Sequence, residues 1–123
     1  MINPNIKIKH IKRIVTDNTV TCLKILKDGK LAATWSNGKI AIYTFRDRYR
    51  SELGLKKHQD AVNYISQLDN GQLLSCSDDC SIRIWDLYSE MSYEVKTIFQ
   101  AHAKEILKII PITNNRMASC SND

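Results

Sequence analysis

Hydrophobic and polar residues alternate along most of this chain in short runs, separated by tight-turn signals. Alternation with a period of two marks strands that bury one face. β-Branched residues set between charges at 6–15 (Ile6, Ile8, Ile11, Ile14, Val15) predict an exposed strand. Residues 20–26 predict a mostly buried strand, Asp28-Gly29 a hairpin turn, 30–35 a second strand, Asn37-Gly38 another turn and 39–45 a third strand. Residues 46–57 are charged and contain Gly54, which predicts a loop with at most a short outer strand near Arg50 to Leu55. The plan then recurs: strand 61–67, turn 69–71, strand 72–76, turn 78–80, strand 81–87, loop 88–94, strand 95–100, and a further pair at 106–111 and 117–121. Helical pattern is almost absent, and Gly and Pro are too few for a flexible linker.

The recurrence is a true repeat. Shifted forward by 44 positions, residues 58–79 fall on 102–123 with seven identities in twenty-two, where average residue usage gives about one. His58, Ile65 and Asn70 meet His102, Ile109 and Asn114; Ser75, Cys76, Ser77 and Asp79 meet Ser119, Cys120, Ser121 and Asp123. Shifted back by 42, residues 58–87 share Val20, Leu26, Gly29, Leu31, Ile40 and Ile42, and Tyr43 stands where Trp85 stands. A period in the low forties, four short strands long, is the signature of propeller blades. The expected architecture is all-β, a partial β-propeller of antiparallel four-stranded blades. Its parts are an N-terminal strand at 1–15 (a possible ring-closing strand), a degenerate blade at 16–57, a well-formed blade at 58–101 and a truncated one at 102–123.

The middle unit has a His near its start, a Ser-x-Ser-x-Asp hairpin at 75–79 and Trp85-Asp86 six residues after that Asp. In these features, and over roughly residues 16–123, the chain resembles the WD-repeat (WD-40) β-propeller family. The resemblance implies a hydrogen-bonded set in each blade, here His58, Ser75, Asp79 and Trp85. The third unit keeps His102, Ser119 and Asp123, while the first has Thr16, Ala33, Asn37 and Tyr43 at the four places and cannot form that set. Ser, His and Asp together invite a catalytic triad, but the trio repeats with the blade, which marks it as architecture. Cys76, Cys80 and His58 fall within metal-ligand spacing, but Cys76 is matched by Cys120 across repeats, so small buried strand positions explain them better. No catalytic residue, metal or cofactor is expected.

Charge changes the picture only in part. Net charge is +5; residues 1–57 hold 13 Lys/Arg and 4 Asp/Glu, and residues 58–123 hold 5 and 9. The basic half (Lys7, Lys9, His10, Lys12, Arg13, then Arg46, Arg48, Arg50, Lys56, Lys57) suits nucleic acid or anionic lipid, but no aromatic residues interleave as stacking platforms. Solvated loops and Lys-guarded strand edges are the simpler account. No apolar run approaches the ~18 residues of a membrane span, and Met1-Ile2-Asn3-Pro4 opens no secretory h-region. Reduced cysteines and a cytoplasmic or nuclear location are the expectation.

The resemblance also implies where partners bind: the residue before each hairpin Asp (Ser36, Asp78, Asn122) and those flanking the first strand's leading apolar residue (Thr19 and Thr21, Ala61 and Asn63, Glu105 and Leu107). This set is polar to mildly acidic, which suits a protein partner with exposed Lys or Arg. Trp35 stands where Ser77 and Ser121 stand and is either extra core, the favoured reading, or an exposed anchor. Closed rings hold about four to eight blades, so the chain is expected to be a fragment, with the rest of the propeller coming from sequence outside it. The expected function is a non-catalytic scaffold for protein–protein interaction. The alternatives are a substrate-targeting or regulatory propeller of a larger enzyme complex, and a nucleic-acid or anionic-lipid binder.

Overall fold

The computed structural model describes residues 5, 13, 16–46, 49–87, 94–113 and 116–123, and of residues 46, 49–53 and 94–99 the backbone alone. The strand expected at 6–15 lies outside this set, save Arg13, as does most of the loop at 88–94. Among the described residues, ten strands form three antiparallel sheets. The first sheet holds β1 (Val20–Ile25), β2 (Leu31–Trp35), β3 (Lys39–Arg46) and β4 (Tyr49–Lys56), in that order. The second repeats the meander with β5 (Val62–Gln67), β6 (Leu73–Ser77), β7 (Ser81–Asp86) and β8 (Glu94–Gln100). The third pairs β9 (Ile106–Thr113) with β10 (Arg116–Ser121). Among the described residues there is no helix, and so none long and apolar enough to cross a membrane.

Consecutive sheets stack through their first strands: β5 packs on β1 and β2 on one side and on β9 on the other. Period-two alternation supplies both faces of the middle sheet. Val62, Ile65, Leu73 and Trp85 join Leu26, Ala32, Ile40, Ile42 and Leu55 of the first sheet in one cluster. Leu68, Leu74, Cys76 and Ile82 join Ile106 and Ile109 of the third sheet in another. A third cluster, Ala33, Trp35, Ala41 and Tyr43, lies on the far face of the first sheet, so Trp35 is core. Its ring meets Tyr43 edge-on at 6.4 Å between centroids, and its Nε1 donates to Thr16 Oγ1 at 3.1 Å.

Two expectations need correction. The described residues from Tyr49 to Lys56 are not a loop: β4 is a full outer strand paired with β3 from Lys39↔Lys56 to Arg46↔Tyr49, with Gly54 opposite Ala41. Charge alone does not separate an outer strand from a loop. The strand at 20–26 is not mostly buried, since only Leu26 is. Leu23, Ile65 and Ile109 hold one register, opposite Ala33, Ser75 and Ser119. Ile65 and Ile109 are 0% exposed and Leu23 is 62% exposed, because each of the first two faces a preceding sheet. Pro111 sits inside β9, a strand that pairs only with β10 among the described residues, so its missing N–H breaks no ladder on the other side.

The turns follow their chemistry. Gly29, Gly38 and Gly71 adopt φ of 85°, 88° and 90°. Cys80 takes the corresponding place at the β6–β7 turn with φ of 67°, the only non-glycine residue with positive φ among those described. An L-residue there costs about 1–2 kcal/mol, so Cys80→Gly should raise the urea midpoint, by about 1 kcal/mol of stability once the added chain entropy is subtracted. An unchanged or lower midpoint would show that the side chain contributes more than its strain removes.

Candidate interaction edge and the network that holds it

At the heart of the second sheet is a chain of hydrogen bonds. Trp85 Nε1 donates to Ser75 Oγ at 2.8 Å, Ser75 Oγ lies 2.6 Å from His58 Nε2, and His58 Nδ1 lies 2.9 Å from Asp79 Oδ2. An indole N–H only donates and a carboxylate only accepts, so with a neutral imidazole between them the proton order is fixed. Ser75 donates to Nε2, and His58 carries its proton on Nδ1 and gives it to Asp79. The imidazole is neutral: burial pushes it below its usual value, against the pull of Asp79. Burial works to raise Asp79, yet the Ser81 hydroxyl, the Gln59 N–H, His58 and the Ser81 N–H all donate to it and hold it at about 2. Ser75 is fully buried with its oxygen taken by an indole, so the trio offers no nucleophile to a substrate. Cys76, also fully buried, is pushed up to about 12 chiefly by desolvation, which keeps the free thiol protonated.

Both perturbed groups titrate at lower pH in the folded chain than in the unfolded one. Their stabilisation is complete above pH 6.5 and is lost on acidification, through His58 below 6.5 and through Asp79 between 3.8 and about 2. Urea unfolding measured across pH should show the loss in two stages, the Asp79 stage amounting to about 2 kcal/mol. Asp79→Asn should erase that second stage. A flat profile from pH 6 down to 2.5 would contradict the network.

The third sheet repeats the arrangement without an indole. His102 Nε2 lies 2.9 Å from Ser119 Oγ and His102 Nδ1 3.1 Å from Asp123 Oδ2, while the Ala103 N–H donates to the same carboxylate as Gln59 N–H does on Asp79. The Ala103 N–H, ahead of His102, lowers the Asp123 pKa against desolvation. In the first sheet, Trp35 to Thr16 is a substitute link of another kind.

The network pins one edge of the stack. Asp78 N–H donates to Ala61 O at 2.9 Å, Ser36 N–H to Thr19 O at 2.9 Å and Asn122 N–H to Glu105 O at 3.2 Å, the same bond in each sheet. Just inside it each first strand bulges. Val20 pairs Trp35 and Cys22 pairs Thr34; Val62 pairs Ser77 and Tyr64 pairs Cys76; Ile106 pairs Ser121 and Lys108 pairs Cys120. Thr21, Asn63 and Leu107 are thus left outside the ladder, where a bulge re-aims a side chain. Thr21 Oγ1 donates across to Val62 O, and Asn63 Nδ2 donates to Ile106 O at 2.8 Å and to Asp78 Oδ1 at 2.7 Å.

Comparison with known proteins now bears on this geometry. The family described as "WD domain, G-beta repeat" matches residues 50–86, the stretch that carries His58, Ser75, Asp79 and Trp85. The chain belongs to the WD-repeat family. Among its relatives are a WD repeat-containing protein 55 homolog of Dictyostelium discoideum, 30% identical over 105 residues (85% of this chain, 25% of the relative), and a probable E3 ubiquitin ligase complex SCF subunit sconB of Talaromyces stipitatus, 35% identical over 65 residues (51% and 9%). A third is DDB1- and CUL4-associated factor 10 of Xenopus tropicalis, 38% identical over 60 residues (49% and 13%). The chain spans a quarter or less of these relatives' length. Among the described residues the three sheets, two of four strands and one of two, have the build of a partial WD-repeat propeller.

Within the WD-repeat frame, the nine positions put forward for partner contact gather along one edge, but not on equal terms. Ser36, Asn122 and Leu107 are exposed, and Glu105 and Asp78 are half-exposed. Asn63 is half-buried and already holds Asp78 and the next blade. Desolvation and then the carboxylates of Glu105, Asp79, Asp123 and Asp78 raise the pKa of the Cys80 thiol at the hairpin tip. Of the basic half, Lys27 bonds Asp69, Lys30 pairs with Asp28 at 3.2 Å, and Lys39 lies 5.5 Å from the Trp35 ring centroid. Lys7, Lys9, His10 and Lys12, and the side chains of Arg46, Arg48 and Arg50, lie outside the described set. Sequence reasoning missed Ser81, whose hydroxyl caps Asp79 at 2.5 Å, and the three bulges. Ser81 had a signal: turn Asn and Asp residues accept from the N–H two positions on, as Asp28, Asn37 and Asn70 also do.

Proposed function

We propose that this WD-repeat chain is a non-catalytic scaffold whose hairpin-tip edge receives a protein partner carrying exposed Lys or Arg. The observation that carries the reading is that Asp78 and Glu105 lie half-exposed on one edge, linked through Asn63, which bonds the Asp78 carboxylate and the carbonyl of Ile106 beside Glu105. Stacked sheets hold these loops rigidly, so their charge pattern is presented in one geometry. Asp79 is committed to the internal network, which leaves Asp78 and Glu105 as the contacts. The test is binding of the chain to an immobilised array of Lys/Arg-rich peptides. The double variant Asp78→Lys, Glu105→Lys should lose at least tenfold in affinity, and unchanged binding would refute the reading.

A second reading is a targeting or regulatory role inside a ubiquitin ligase complex. What favours it is the naming of two relatives as an SCF complex subunit and a DDB1- and CUL4-associated factor. Affinity purification of the tagged chain from cells should then recover DDB1, CUL4 or SCF subunits above a surface-reversed control. Their absence would leave the plain scaffold.

A further inference from the structure

Two Asn-Gly pairs close turns of this chain, Asn37-Gly38 between β2 and β3 and Asn70-Gly71 between β5 and β6. Asparagine before glycine is the side-chain amide most prone to lose ammonia, because no Cβ shields the glycine nitrogen that attacks it. Both asparagines are exposed, and both glycines hold almost the same φ, 88° and 90°. The pairs differ in what restrains them.

Locally, Asn70 is the better held. Its Oδ1 accepts from the Gln72 N–H at 3.0 Å, its Nδ2 donates to Gln72 Oε1 at 2.9 Å, and the Gly71 N–H donates to Leu68 O at 2.9 Å. Asn37 Oδ1 accepts from the Lys39 N–H at 3.1 Å, and the Gly38 N–H reaches Trp35 O at 3.3 Å. Between blades the order reverses. Gly38 is buried against the second blade, where a Cβ would stand 2.6 Å from His58 O and 3.0 Å from Asp60 O, while Gly71 is half-exposed. Ring closure swings the peptide plane between asparagine and glycine, so Gly38 must leave those carbonyls before it reacts. Close main-chain packing outweighs one hydrogen bond longer than the usual N–H···O range.

We propose that Asn37 is a modification site gated by the contact between the first two blades. When the hairpin tip lifts from the second blade, Gly38 N loses its proton and attacks Asn37 Cγ. The Cγ–Nδ2 bond breaks, and Nδ2 leaves as ammonia with that proton, giving a five-membered imide. Water then opens the imide. Attack at Cγ breaks the Cγ–N bond and gives aspartate; attack at the main-chain carbonyl breaks the C–N bond there and gives isoaspartate. Aspartate suits the turn, since Asp28 and Asp79 accept from the N–H two positions on at 3.1 and 2.9 Å, as Asn37 does. Isoaspartate adds a carbon to the main chain directly before Gly38, whose close approach to His58 and Asp60 leaves no room for the shift. The blade contact thus controls the reaction, and the β-linked product keeps that contact from re-forming. This inference does not rest on the acidic-edge reading.

The test follows both sites in the 123-residue chain, incubated in mildly alkaline buffer and digested with trypsin. Tandem mass spectrometry of the peptides 31–39 and 58–83 reads the change from amide to acid at Asn37 and at Asn70. In the folded chain Asn37 should convert about tenfold more slowly than Asn70, because a local opening must come first, and in urea the two rates should converge. Local bonding alone gives the opposite order, so Asn37 converting as fast as Asn70 or faster in the folded chain would overturn the proposal. A gap that persists in urea would also overturn it, because neighbours in sequence would then set the rates. The second readout is stability, in an Asn70→Gln background that leaves position 37 as the reactive pair. Chain with isoaspartate at 37, recovered from the urea incubation, should unfold at lower urea than chain carrying Asn37→Asp, whose midpoint should match that of unmodified chain. Equal midpoints for the two products would overturn the claim that the added carbon holds the blades apart.

Discussion

Replacing His58 by alanine is expected to lower stability by about 3 kcal/mol, read as a shift of the urea midpoint at constant slope. The imidazole is 0% exposed and serves two neighbours at once. Its loss leaves the Asp79 carboxylate, 8% exposed, short of a donor, and the Ser75 hydroxyl without its acceptor. It also opens a void beside Trp85, whose ring centroid is 6.3 Å from that of His58. An unpaired buried group costs far more than a bond is worth when both partners can reach water. His102→Ala is the internal control: the same bonds are made, but His102 and Asp123 are 21% and 36% exposed. It should cost less than half as much. Equal losses would mean that burial is not the source of the effect.

Gly38→Ala is expected to cost nearly as much, about 3 kcal/mol, for a different reason. With φ at 88° the added Cβ strains the backbone by about 1–2 kcal/mol. It would also stand 2.6 Å from the His58 carbonyl oxygen and 3.0 Å from that of Asp60, and backbone cannot swing aside as a side chain can. Gly29 has almost the same φ, 85°, with nothing within 4 Å of the added atom. Gly29→Ala should therefore cost about 1 kcal/mol, the conformational part alone. Circular dichroism of both variants in urea separates strain from contact, and identical midpoints would dismiss the contact. The first blade's turn thus presses on the backbone segment that aims His58 into the second.

Much of this was legible because the relevant physics is local. Alternation gave the strands, Asp28-Gly29 and Asn37-Gly38 gave the turns, and the offset of 44 placed His102, Ser119 and Asp123 in the arrangement of His58, Ser75 and Asp79. What escaped depends on neighbours that sequence spacing does not rank. Leu23 and Ile65 are equivalent by repeat, yet one is exposed and the other buried, since burial is set by the adjacent sheet. The eight residues of β4 look like a loop because charge reads as the sign of an unpaired backbone, whereas β4 pairs with β3 along its whole length. Asn63 was legible as a polar residue at the right place, but its use, bridging Asp78 and Ile106 O, rests on a bulge that shifts one residue out of the ladder. A bulge without glycine leaves no compositional trace.

The bulge has a consequence in time. Thr21 reaches forward to Val62, Asn63 to Ile106 and Ser66 to Ile109, always from an earlier blade to a carbonyl of the next, over 41 to 43 residues. The stack therefore has a direction, and each blade's last donor waits for chain that has not yet been made. At a synthesis rate of about 5–20 residues per second, that wait is roughly 2–8 s per blade. A growing chain would close these links one after another from the N-terminal end, like a zip fastener drawn at the pace of the ribosome.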